Sequence, residues 1–174
     1  MRKKASGPLT FALLGASLLW TACGGQEVDP VGAALVAYEP VIEPVLHEQE
    51  NISKLFVAIT LDKIEPPDAI GKIKAEAVPM SKALLDKVQA IQISEPTVQG
   101  LHQTLTQAAT LRLEGYQLMV DGFERKDLAA FNEGKKKLTN SKISEETYIS
   151  QLDSLSKQYG VKIDFFPPSG PTAQ

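Results

Sequence analysis

Side chains that do chemistry are scarce in this chain. Among 174 residues stand one cysteine, Cys23, two histidines, His47 and His102, and one tryptophan, Trp20. A di-iron bundle needs inward Glu-x-x-His pairs, and the residues three before these histidines are Pro44 and Gln99. His47 lies between the seam positions Val45 and Gln49, and His102 lies beside Leu101. Both are therefore expected at the border of a core or in solvent rather than on a metal. Met80 and Met119 would supply Met/His haem ligation by type, but their spacing to the histidines selects nothing, and core methionines usually fill gaps. No glycine-rich phosphate loop, nucleophile elbow or solenoid-period repeat occurs. No catalytic, cofactor-binding or metal residue is assigned, and the expectation is a protein that is not an enzyme.

A hydrophobic run of the roughly 20 residues that span a bilayer is also missing. The longest apolar stretch, Leu9 to Ala22, has 14 residues and follows Arg2, Lys3 and Lys4. A basic start, a short apolar core and small residues make a signal peptide over 1–22. The alternative, a transmembrane anchor, lacks a stop-transfer charge pattern.

The lone cysteine ends this stretch. Thr21-Ala22-Cys23 resembles the lipobox of bacterial lipoproteins, with Trp20 where leucine is usual three residues before the cysteine. In that family the thiol receives a diacylglycerol and the signal is cut before the cysteine. The resemblance therefore implies lipidation at Cys23, with Gly24 rather than aspartate next, which by resemblance favours the outer membrane. A thiolate is the side-chain nucleophile best suited to accept a lipid. Two or three acyl chains hold where one chain is marginal, each buried methylene adding about 0.8 kcal/mol. With Cys23 consumed, the mature chain has no thiol for a disulfide, a zinc-thiolate cluster or covalent haem.

Positive charge is in short supply as well. Cutting after residue 22 leaves 152 residues, and removing Arg2, Lys3 and Lys4 from 18 basic residues leaves 15 against 21 acidic, a net charge of −6. No nucleic-acid partner is expected of such a domain. Anionic headgroups repel it weakly, so lipid must hold it to the membrane. Residues 23–30 are a lipidated flexible tether.

What the chain does have is helical periodicity over 31–166. Val31, Leu35, Tyr38, Ile42, Val45, Gln49, Ile52, Phe56 and Ile59 recur in alternating steps of four and three, the seam of a helix nearly parallel to its neighbours. Pro40 and Pro44 interrupt it in phase, which predicts a bend or a restart near Pro40. Pro66-Pro67-Asp68 reads as a turn before a second helix, roughly Ala69 to Gln92. Its seam is Ile70, Ile73, Ala77, Met80, Leu84, Val88 and Ile91, kinked at Pro79. Ser94-Glu95-Pro96 opens a third helix, with core positions Leu101, Leu105, Ala108, Tyr116, Met119 and Phe123. Asp127 can cap a fourth, whose seam holds Leu128, Phe131, Leu138, Tyr148, Leu152, Leu155 and Tyr159. This helix either runs through Thr139-Asn140-Ser141 or breaks and restarts at Ser144. Gly160 reads as its stop. Val161, Ile163 and Phe165 alternate as an extended strap, and 167–174 is a disordered tail.

Four helices with short connections predict an all-α, up-down four-helix bundle. The alternative is an elongated two-helix coiled coil that dimerises through its first helix.

A few features stand apart from the packing pattern. Arg125, Lys126, Lys135, Lys136, Lys137 and Lys142 gather basic charge in an acidic domain, either as a solvated face or as a partner contact. Arg112, with Glu114 nearby, sits where an apolar residue belongs, and is expected to snorkel or to pair with an acid across the bundle rather than to hold a ligand carboxylate. Gly115 and Gly122, seven apart, mark a close neighbouring helix. Phe165-Phe166 is a strap or a docking peptide.

The functional expectation is a membrane-anchored lipoprotein of the cell outer membrane, on its periplasmic or surface face. It would be a non-enzymatic binding or assembly component of a bacterial envelope machine (secretion, motility or surface maintenance), with envelope proteins as partners. The alternative is a small-ligand binding bundle for haem, metal or lipid.

Overall fold

The computed structural model describes residues 29–61 and 64–163. The signal peptide 1–22, Cys23, Phe165-Phe166 and the tail 167–174 lie outside the described residues.

Four helices, α1 to α4, follow one another up, down, up, down. Helix α1 spans Pro30–Leu61 and is opened by Asp29, whose Oδ1 accepts the Val31 N–H at 2.9 Å. It runs unbroken through Pro40 and Pro44, so the restart near Pro40 does not occur. Both prolines are exposed, which leaves water to satisfy the carbonyls they abandon. The whole expected seam from Leu35 to Ile59 is buried or half-buried.

Helix α2 is continuous from Pro66 to Ala90 but changes pitch: α-helical over Pro66–Lys72, a π turn over Ile73–Ala77, and α-helical over Val78–Ala90. Pro66 and Pro67 form its first turn, where a missing N–H costs nothing, rather than a turn before it. The expected kink at Pro79 takes the form of the π turn. Pro79 has no N–H for the carbonyl of Ala75, and the chain widens just before it, with Val78 N–H reaching back to Ile73 O. The phase changes with it. Ser81 is fully buried where Met80 is expected, and Met80 is 38% exposed.

Helix α3 spans Pro96–Glu124, and Glu95, rather than the hydroxyl of Ser94, caps it, its Oε2 accepting the Val98 N–H at 2.7 Å. Helix α4 spans Leu128–Gln158 and is capped by Asp127. It runs straight through Thr139-Asn140-Ser141. Gly160, at φ 65°, stops it: Val161 N–H donates to Ser156 O at 2.9 Å. Val161 and Ile163 continue as a half-buried strap against the core.

Helices α3 and α4 approach most closely, and glycine permits it. A Cβ on Gly134 would lie 2.7 Å from Gly115 O, and one on Gly115 would lie 2.7 Å from Leu138 Cδ2. At the turn, a Cβ on Gly122 would overlap the backbone N of Phe131. Core residues come from all four helices of one chain, as in Leu35, Leu84, Leu105 and Tyr148. The chain is an all-α up-down bundle, not an extended two-helix coiled coil.

Candidate functional site

Three polar or hollow places interrupt the packing. The first lies at the end of the bundle where α1 begins. Tyr38 OH stands 3.0 Å from His102 Nδ1, Tyr148 OH donates to Tyr38 OH at 3.2 Å, and His102 Nε2 is 2.9 Å from Val88 O. A carbonyl only accepts, so Nε2 carries the proton and Nδ1 accepts from Tyr38. The chain of donors touches α1, α2, α3 and α4. Burial depresses the His102 pKa against the opposing pull of the Val88 carbonyl, and burial raises the pKa of both tyrosines. His102 thus lies inside the core rather than at its border, while His47 is exposed. Helix α3 is wrapped by its neighbours, so its buried stripe is wide enough to take in position 102 beside Leu101.

The second place is midway along the bundle. Arg112, 6% exposed, pairs with Glu145 across the α3–α4 interface. Its Nη1 donates to Gln49 O at 3.1 Å and its Nη2 lies 3.4 Å from Ser53 Oγ. Ser141 Oγ sits 2.8 Å from Ala108 O and 3.1 Å from Glu145 Oε1. Arg112 therefore pairs across the bundle instead of snorkelling. Glu114 is engaged elsewhere, with Lys137 at 2.8 Å. Burial pushes the nearby Tyr116 hydroxyl up to about 12, and the two charges of the pair act on it in opposite directions.

The third place is at the opposite end from the first. The end of α1, the start of α2 and the α3–α4 turn enclose a cleft of about 890 Å³. Its walls are apolar: Phe56, Ile59, Ile70, Ile73, Met119, Phe123, Leu128 and Phe131. Phe123 and Leu128, expected in the core, line this cleft instead and are 37% and 70% exposed. Lys126, Lys135 and Asp127 supply its charge. A second groove of about 490 Å³ between α1 and α4 shares Phe56 and Lys135 with it and leads to Arg112 and Glu145.

The six basic residues divide. Lys136, Lys137 and Lys142 pair with Glu133, Glu114 and Glu146 at 3.8, 2.8 and 3.8 Å. Arg125, Lys126 and Lys135 make no ion pair among the described residues. Two of these three line the cleft. Lys126 also holds a left-handed backbone at φ 57°, at the position after a helix where glycine is preferred. Sequence spacing carried the charge of this group but not the cleft, which needs four helix ends to form.

Among the described residues no three His, Cys, Asp or Glu side chains come together, and no helix is long and apolar enough to cross a membrane. No protein-family model, curated protein or solved structure matches the chain.

Proposed function

We infer that the protein is a lipid-anchored, non-enzymatic binding or assembly component of a bacterial cell envelope, attached to the outer membrane through Cys23. Secretion, motility or surface maintenance are the envelope tasks this reading covers. Its support at the N-terminus is the lipobox-like Thr21-Ala22-Cys23 behind a short apolar core.

The observation that carries the binding role is the position of the cleft. Asp29 enters the bundle at one end, and the cleft opens at the other. Phe56, the first residue of α1 to line the cleft, stands 27 residues after Asp29, a distance of about 40 Å at 1.5 Å per residue. An anchor at Cys23 confines the bundle near the bilayer and raises its effective concentration for membrane-bound partners. The apolar end is then held out from the attachment point. A bundle that only filled space would close that end, since an apolar surface left open in water carries a cost.

Crosslinking in intact cells from a photoreactive residue at position 128 tests this reading. Adducts with envelope proteins that form with Cys23 and disappear with Cys23→Ser are expected. Identical adducts in both forms, or none in either, would contradict it.

The second reading, a small-ligand binding bundle, is favoured by the cleft's volume, which falls in the range of about 300–1,000 Å³ usual for ligand sites.

A further inference from the structure

The geometry points to an anionic amphiphile as the occupant of the far-end cleft: one long acyl chain ending in a carboxylate or phosphate. The chain lies among Phe56, Ile70, Met119 and Phe123, and the anion meets Lys126 and Lys135. This rests on the small-ligand reading of the cleft and is independent of the lipid anchor.

Charge complementarity selects the anion. The one acid in the lining, Asp127, keeps its charge but turns its Oδ1 to the N–H groups of Ala129 and Ala130, both at 3.0 Å. Glu124, the nearest acid along α3, is bonded to Lys74 at 2.6 Å. Lys126 and Lys135 make no ion pair among the described residues and outnumber that one acid beside an apolar hollow, an arrangement that suits a greasy tail with a negative head. The left-handed backbone of Lys126 adds a separate indication. A lysine held where glycine is easier is the kind of local strain that collects at binding sites.

Photolabelling of the full-length protein in phosphatidylcholine nanodiscs tests the assignment. The probes are hexadecanoic acid, hexadecyl phosphate and hexadecanol, each with a diazirine near the methyl end. Both anions are expected to label the cleft, at half-saturating concentrations about tenfold below the alcohol's. Lys126→Gln with Lys135→Gln should bring the anions to the level of the alcohol and leave the alcohol unchanged. Ala69→Phe, which narrows the cleft from its wall, should reduce all three while the helical signal and melting temperature hold. A preference of one anion over the other identifies the head group and supports the assignment in either case.

The assignment is overturned if labels map outside the cleft, or if acid and alcohol label alike. It is also overturned if chain-to-chain crosslinks between cleft residues show a second copy seated there. None of these results touches the Cys23 anchor, and loss of the anchor leaves these labels unmoved.

Discussion

Tyr38 and His102 are 64 positions apart in sequence and meet hydroxyl to ring at 3.0 Å, with the ring edge-on to the phenol at 87°. The contact fixes the imidazole as an acceptor at Nδ1 and a donor at Nε2, and so fixes it as neutral. A second proton on the ring would leave Tyr38 facing a donor and would place a charge in the core.

The consequence is a pH-dependent stability. The His102 pKa is lowered by folding from an ordinary 6.5, so the unfolded chain binds more protons once the pH drops below about 6.5. Stability is full above that value and falls as the pH drops toward the folded pKa. Urea unfolding midpoints should fall between pH 7 and pH 5 for the native chain and stay nearly flat for His102→Gln. An equal slope in both would show that the imidazole is not the cause.

Arg112 and Glu145 form a buried pair, and removing one partner leaves the other charged without compensation. Glu145→Ala should cost about 3–5 kcal/mol, whereas Arg112→Met with Glu145→Leu should come close to neutral or even stabilise. Chemical denaturation of the two variants measures this; equal destabilisation by both would contradict it.

Glycine substitutions should divide by what a new methyl would meet. Gly134→Ala would drive a methyl to 2.7 Å from the backbone oxygen of Gly115 and should cost about 1–3 kcal/mol or more. Gly100→Ala, with nothing within 4 Å, should stabilise by about 0.5–1 kcal/mol. Thermal melts read both.

Two positions should gain by losing chemistry. Lys126→Gly relieves a left-handed backbone and should stabilise by about 1 kcal/mol. Ser81→Ala removes a fully buried hydroxyl with no hydrogen-bond partner among the described residues and should be neutral or stabilising.

The seams were legible where each helix keeps one pitch and one set of neighbours. In α1 the step of four and three predicts the buried positions through two prolines, because prolines on the outer face do not disturb the inner one. In α2 the same rule misplaces Met80, since a proline beside the inner turn widens the helix and brings Ser81 inward. Burial of His102 needs three neighbours around α3, and no spacing along one helix records them. Gly115 and Gly122 did signal close approach, because helix glycine seven apart has little other use. The cleft was invisible for a different reason. Phe123 and Leu128 fit the core pattern in sequence, but both line the open cleft where four helix ends meet. Lys126 and Lys135 were visible as charge, but the side chains they stand beside come from α1 and α2.

Intact mass of the protein extracted from its own membranes decides whether Cys23 carries the anchor. The expected species begins at Cys23 and carries the added mass of a diacylglycerol, with or without a further acyl group. An unmodified chain still beginning at Met1 as the main species would contradict it.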